Sequence, residues 1–252
     1  MQIDVSGLGF EAGQHAVVTG AALGIGRATA LMLARAGVTV VAWDIDEANL
    51  DVLAKEISAA GGVCHGVVAD LSTQDAIDAA WATTRGFDAP VQYLVNNAGP
   101  AARTPLDVAA GVALAVGSYA MVADGFVANY PNSAISMTYS SSVAGNLWVR
   151  DDMADWYPAA KAAIAGLMRH HAVKHRGRPR VNAVAPLYTN TQRIAKAMTS
   201  ERVREHISRY PIPRVGEPEE VAVAICFLLA PAASYINGVL IPLEGGATWT
   251  LS

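Results

Sequence analysis

The 252-residue chain is short of charge. Asp, Glu, Lys and Arg make up only 16% of it, against about 25% in an ordinary soluble domain. With 52% hydrophobic residues, that composition excludes intrinsic disorder, which needs low hydrophobicity and high charge. Basic residues number 18 and acidic residues 22, a net charge of −4. The densest basic stretch, Lys174-His175-Arg176-Gly177-Arg178-Pro179-Arg180, is short. Nucleic acid is therefore not an expected partner. So few charges leave little to cover a surface, and some apolar surface is expected to be buried between copies of the chain.

Cysteine is scarce too. Cys64 and Cys226 stand 162 positions apart, which excludes a disulfide framework and a cysteine metal cluster. Cys226 sits in the apolar run Val221–Leu229 and reads as a buried thiol. The start of the chain, Met1–Phe10, carries Asp4 and no basic residue, so no secretory signal is expected. The longest apolar stretch, Val108 to Ala123, is 16 residues and contains Gly111, Gly117 and Ser118. A bilayer span needs about 20. The expectation is a buried or interface helix, no membrane partner and a cytoplasmic location. No repeat, low-complexity tract or Pro/Gly/Ser linker divides the chain, so residues 1–252 are expected to form one domain.

What is present is alternation. Short apolar runs at 15–19, 38–43, 63–68 and 91–95 are separated by helical patterns at 25–36, 46–60 and 73–85. The second half repeats the scheme, with helices at about 107–129, 154–175 and 218–229. Its strands fall at about 134–139, 180–184 and 239–241. Strands apolar on both faces and alternating with helices predict an α/β doubly wound fold on a parallel sheet of about seven strands. Such a sheet binds ligands beyond the carboxyl ends of its strands. The loops after strands therefore carry the argument.

The first such loop reads Thr19-Gly20-Ala21-Ala22-Leu23-Gly24-Ile25-Gly26. Glycines there permit a tight turn and let a pyrophosphate approach the backbone, and the helix behind it offers N–H donors. Asp44 ends the second strand, 18 residues after Gly26. A carboxylate at that place accepts hydrogen bonds from adenosine ribose hydroxyls and repels a 2′-phosphate. Its neighbours are Trp43 and Ile45 rather than Arg or Lys, which favours NAD over NADP. Asp46 suits a helix cap better than Asp44 does. Asp70-Leu71 and Asn96-Asn97-Ala98-Gly99 close the third and fourth strands on the same edge.

Tyr157 and Lys161 are spaced i, i+4, which puts both on one helix face. An ammonium beside a phenol stabilises phenolate, so Lys161 is expected to lower the Tyr157 pKa from about 10 toward working pH. Tyr157 is then a candidate general acid/base. Ser142 stands 15 residues earlier, after the fifth strand, where its hydroxyl could hold a substrate oxygen. His170, His171 and His175 share the same helix, and a solvated or interface face explains them better than a metal. No metal ligand is expected. Arg150, Asp151 and Asp152 read as a helix-entry loop.

Taken together, the motifs resemble the short-chain dehydrogenase/reductase family. They run TGAALGIG at Thr19–Gly26, ADL at Ala69–Leu71, NNAG at Asn96–Gly99, SSVAG at Ser141–Gly145 and YPAAK at Tyr157–Lys161, followed by VNAVAP and RVGEPEEVA. The resemblance covers nearly the whole chain and implies a single Rossmann-type domain that binds a dinucleotide and carries the catalytic site. It implies that Tyr157 exchanges a proton with a carbonyl or alcohol oxygen, that Ser142 positions that oxygen, and that Lys161 also holds the nicotinamide ribose. It further implies adenine contacts from Asp70 and Leu71. Asn97, Ala98 and Gly99 would line the ribose and nicotinamide, and the segment from Pro186 through Thr189 and Thr191 would clamp the carboxamide. The implied activity is NAD-dependent interconversion of an alcohol and a ketone by a homo-oligomer, a tetramer foremost.

Three departures from the family pattern stand out. The Asn usual in its fourth helix is matched by Gly117, with Ser118 beside it. Leu187 replaces the Gly that follows Pro186. The stretch from Gly99 to Ser142 looks shortened. Candidates for the substrate pocket are Pro100, Leu147, Trp148, Leu187, Tyr188 and Arg193, and Trp148 and Leu187 suggest an apolar one. Two other readings stay open. One is a non-redox relative of the halohydrin lyase type, which usually carries Arg where Lys161 stands. The other is a cofactor-binding pseudoenzyme or regulator.

Overall fold

The computed structural model describes residues 4–87, 89–147 and 153–250. Its strands are β1 His15–Thr19, β2 Thr39–Asp44, β3 Cys64–Val68, β4 Val91–Asn96, β5 Ser136–Ser140, β6 Arg180–Pro186 and β7 Leu240–Leu243. They form one sheet in the order β3-β2-β1-β4-β5-β6-β7, and every neighbouring pair is parallel. The order changes direction between β1 and β4, where a doubly wound sheet opens its binding crevice.

Strand alternation explains the two layers of core. Side chains in β1 and β2 point to opposite faces in turn. Ala16, Val18, Val40 and Ala42 pack on one side, with α1 Gly24–Arg35, α2 Glu47–Ala59 and α8 Pro218–Leu229. Val17, Val41 and Trp43 pack on the other, with α3 Gln74–Arg85, α4 Val108–Asn129 and α5 Trp156–Lys174. Strands covered on both faces must be apolar throughout, which is why the sequence pattern was so plain. β3 departs from it, because it is an edge strand and exposes Gly66 and Val68.

α4 has the length and a mean hydropathy of 1.5 that would suit a membrane span. It instead buries Tyr119, Val122, Ala123 and Phe126 against the sheet, in line with the expected buried or interface helix. Cys226 is buried in α8 as expected, and burial pushes its thiol pKa up. Two short helices, α6 Gln192–Met198 and α7 Glu201–Ser208, were not anticipated. α7 is mostly polar and is anchored by Val203 and Ile207 one turn apart.

Arg180 ties the far end of α8 to β6. Its guanidinium donates to the carbonyls of Leu228, Leu229, Ala230 and Ile236, each at 3.0 Å. The last carbonyls of a helix lack partners inside it, and these are buried. Replacing Arg180 with Met removes the donor of the Leu229 carbonyl and one donor each from Leu228, Ala230 and Ile236, which keep Ser136, Ala233 and Asn182, at a cost of about 3 kcal/mol. For a chain of this size that lowers the melting temperature by roughly 6–12 °C. Thermal unfolding of Arg180→Met checks it, and an unchanged midpoint would show that water replaces the guanidinium.

Candidate active site

Parallel strands deliver their carboxyl ends to one edge, and two cavities open there. One, of about 290 Å³, is lined by Gly20, Asp44, Asp70, Leu71, Ala98 and Ser118. The other, of about 310 Å³, is lined by Asn97, Ser142, Tyr157, Lys161, Pro186 and Thr189, and Ile25 and Thr191 also border it. Gly99, Pro100 and Arg193 border both, so the two make a single trough. Leu23, Gly24 and Gly26 border neither. Gly26 is there for packing, since a Cβ on it would fall 2.0 Å from the carbonyl oxygen of Gly20. Leu23 is the N-cap residue of α1 and supplies no side-chain cap. The amides of that first turn therefore keep their donors for an anion.

The glycine loop is braced from the neighbouring strand. The Thr19 hydroxyl donates to the carbonyl of Val95 at 3.3 Å and accepts from the amides of Asn97 at 2.9 Å and Ala98 at 3.0 Å. The side-chain amide of Asn97 donates back to the carbonyl of Thr19 at 3.2 Å. Asn97 thus serves the loop's shape as well as the cavity wall. The Asp44 carboxylate accepts from the amides of Ala22 at 3.0 Å and Asp46 at 3.1 Å, which aims it along the cavity. Asp46 caps α2, as expected, by accepting from the Asn49 amide at 3.1 Å. An uncapped helix end, a glycine turn and a carboxylate at the end of β2 together fit the diphosphate and ribose of a dinucleotide.

At the other end, Gly145 lets the loop after β5 lie directly on α5. Its φ is +78°, and a Cβ there would fall 2.0 Å from the carbonyl oxygen of Pro158. Asn146, which the sequence did not single out, stitches the contact. Its amide donates to the Ser141 hydroxyl at 3.1 Å and to the carbonyls of Ser142 at 2.8 Å and Lys161 at 3.3 Å. The Ser141 hydroxyl donates to the Lys161 carbonyl at 2.7 Å. This brings the hydroxyls of Ser142 and Tyr157 and the Lys161 ammonium to one cavity.

The electrostatics correct one expectation. The Tyr157 pKa is raised rather than lowered. Burial pushes the phenol above its ordinary value, and what pulls it back is the Ser142 hydrogen bond and then the Arg193 charge. The Lys161 ammonium is turned to the carbonyl of Ser140, 2.8 Å away, and lies 5.7 Å from the centroid of the Tyr157 ring. Burial and then Arg193 bring the Lys161 pKa down to about 8. Tyr119 donates to the same Ser140 carbonyl at 3.0 Å. Ser118 does not reach Lys161, because its hydroxyl is spent on the Ala115 carbonyl at 3.3 Å and borders the other cavity. Gly117 has open space around it.

Of the pocket candidates, Pro100, Leu187, Tyr188 and Arg193 line the Tyr157 cavity. Leu147 is 47% exposed and outside its lining. Trp148, Arg150, Asp151 and Asp152 lie outside the described residues. His171 is buried, shares a 2.7 Å hydrogen bond with the Tyr139 hydroxyl, and is held near a pKa of about 4 by burial. Among the described residues no three His, Cys, Asp or Glu side chains are placed to hold a metal.

A family model described as enoyl-(acyl carrier protein) reductase matches residues 20–248. The chain is 37% identical to a cis-4-hydroxycyclohexanecarboxylate dehydrogenase of Sinomonas cyclohexanicum, over 92% of this chain and 96% of that one. It is similar to a solved 7 alpha-hydroxysteroid dehydrogenase complexed with NADH and 7-oxo glycochenodeoxycholic acid. The TM-score there is 0.86 at 26% identity, covering 97% of this chain and 98% of that one. It is equally similar, at 0.86 and 32% identity over 95% and 98%, to a protein described as a putative NAD(P)-dependent gluconate 5-dehydrogenase from Beutenbergia cavernae, with NADP bound at low occupancy.

The depressed Lys161 pKa has a stability consequence. Below pH 8 the ammonium is charged in both the folded and unfolded chains, and the full burial penalty applies. Between about 8 and the ordinary 10.5 the folded chain loses its proton first, and the penalty fades. Lys161→Met is therefore expected to gain up to about 3 kcal/mol at pH 7 and nothing above pH 10.5. Urea unfolding at both ends of that window reads it. A variant less stable at pH 7 would mean that the bond to Ser140 outweighs the burial.

Proposed function

The chain belongs to the short-chain dehydrogenase/reductase family of oxidoreductases, and from that premise we propose that it interconverts a secondary alcohol and a ketone with NAD(H). The observation that carries this reading is the meeting of Ser142, Tyr157 and Lys161 in a cavity continuous with the one that Asp44 lines. When bound, NAD supplies the hydride acceptor and NADH the donor. Gly20, Ile25, Asp70, Leu71, Asn97, Ala98, Gly99, Pro186 and Thr189 would hold the cofactor, with Asp44 on the adenosine ribose.

The remaining chemistry belongs to the protein. A phenol whose pKa is raised keeps its proton at neutral pH, so Tyr157 meets a carbonyl oxygen as a donor. The Ser142 hydroxyl steadies the same oxygen. Lys161 is pinned to the β5 carbonyl of Ser140 and sets the cation behind the phenol. NAD is favoured over NADP because the Asp44 carboxylate repels a 2′-phosphate and its neighbours Trp43 and Ile45 offer no cation.

Absorbance assays of NADH and NADPH oxidation against a ketone panel test the reading. NADH is expected to be the better cofactor, and Tyr157→Phe to lower kcat by roughly 10²–10⁴-fold with NADH still bound. Asp44→Ala is expected to narrow the NADH preference about tenfold, worth roughly 1.4 kcal/mol. Tight NADH binding with no ketone turned over would point to a regulator instead, and a wild-type preference for NADPH would overturn the cofactor assignment.

The chain is also proposed to work as a homotetramer in the cytoplasm. The low charge supports self-association, as do the apolar α4 and the outward Val173 and Trp249, 78% and 85% exposed. Sedimentation equilibrium is expected to return four copies, and a monomer at micromolar concentration would exclude the assembly.

A further inference from the structure

Tyr119 is a buried titratable side chain with no part in the chemistry above. It is 1% exposed on α4, and burial pushes its phenol pKa up, so it stays protonated as a donor. Its place is set from two sides. The Asn96 amide at the end of β4 donates to the Tyr119 carbonyl at 3.0 Å. The Tyr119 ring meets the Tyr139 ring edge-on with centroids 5.5 Å apart, and the Tyr139 hydroxyl shares a 2.7 Å hydrogen bond with His171. So fixed, the Tyr119 hydroxyl donates at 3.0 Å to the Ser140 carbonyl that the Lys161 ammonium takes at 2.8 Å. The ammonium lies 5.8 Å from the Tyr119 ring centroid and 5.7 Å from that of Tyr157, within cation–π reach of both.

We infer that Tyr119 is a positioning residue, whose hydroxyl occupies one lone pair of the Ser140 carbonyl and so confines the Lys161 ammonium to the other, behind Tyr157. The inference rests on the alcohol–ketone reading above, in which Lys161 serves Tyr157. A carbonyl oxygen offers two lone pairs, and an ammonium on a flexible stem carries three donors. Without a second donor the ammonium can cross the carbonyl and leave the phenol. The buried hydroxyl bars that side. Both donors also aim positive hydrogens at one oxygen, so each weakens the hold of the other. Tyr157 stands one turn earlier on α5, Arg103 lines the same cavity, and Arg193 on α6 lowers the Lys161 pKa by its charge. All three remain when Tyr119 is changed to Phe, so that substitution reports the hydroxyl. Packing alone would be served as well by Phe.

The chain has four lysines, Lys55, Lys161, Lys174 and Lys196. NMR of protein labelled with ¹³C at lysine Cε therefore follows Lys161 through a pH titration, its signal being the one lost in Lys161→Met. The wild-type midpoint is expected at about 8. Tyr119→Phe leaves the Ser140 carbonyl its bond to Lys161, so no buried group is orphaned and the variant is expected to fold. With the competing donor gone, the Lys161 midpoint is expected to rise by about one unit. In assays, kcat should fall about tenfold while KM for the ketone and NADH binding hold. Placing p-aminophenylalanine at position 119 keeps a donor at the end of the ring and should restore both readouts. A Lys161 midpoint that is unmoved or lowered in Tyr119→Phe would overturn the inference and leave Tyr119 as packing. So would a raised midpoint with kcat unchanged, since the place of the ammonium would then not matter to Tyr157. A raised midpoint in a protein that reduces no ketone would leave the positioning standing and remove the hydride-transfer reading instead.

Discussion

Everything in this site follows from seven strands running the same way. Parallel strands end on one edge, so Gly20, Asp44, Asp70, Asn97, Ser140 and Pro186 reach the same trough from far-apart places in the chain. The interiors of β1, β2 and β4 are covered by helices on both faces and are mainly apolar, while β5 and β6 also bury Ser136, Thr138 and Asn182. The polar side chains that border the trough stand at the strand ends, where backbone groups leave the ladder and side chains find room.

Rigidity at that edge comes from side chains that bond to backbone across neighbouring loops. Thr19 and Asn97 join the β1 and β4 ends. Ser141 and Asn146 join the β5 end to α5. Glycine is needed where two backbones come too close for a Cβ, at Gly26 against Gly20 and at Gly145 against Pro158. Ser142, Tyr157 and Lys161 stand on this frame, and burial is the main influence on the charge of the last two. It raises the Tyr157 pKa and lowers that of Lys161, in each case disfavouring the ion. The site holds an ammonium in a place that costs stability, as functional sites commonly do.

The legible parts were those where neighbours in sequence are neighbours in space. The i, i+4 spacing of Tyr157 and Lys161, the glycine loop between β1 and α1, and the Asp46 cap of α2 each involve a few consecutive residues. Local geometry therefore carried the expectation through. Where the reading went astray, a contact across the fold had intervened. The Lys161 ammonium had a phenol one turn away and turned to the Ser140 carbonyl instead, 21 residues distant. Ser118, whose role the sequence left open, spends its hydroxyl on its own helix.

Composition and periodicity by themselves determined the α/β class, the parallel sheet, the strand ends that would matter and the residue types that could do acid–base work there. They could do so because hydrophobic alternation and helical spacing are properties of short segments. Only the tertiary structure decided that Arg103 and Arg193 border the Tyr157 cavity, that Asn146 laces β5 to α5, and which carbonyl the Lys161 ammonium takes. Those facts depend on distances between segments far apart in the chain, and such distances are set by how helices and loops pack on the sheet.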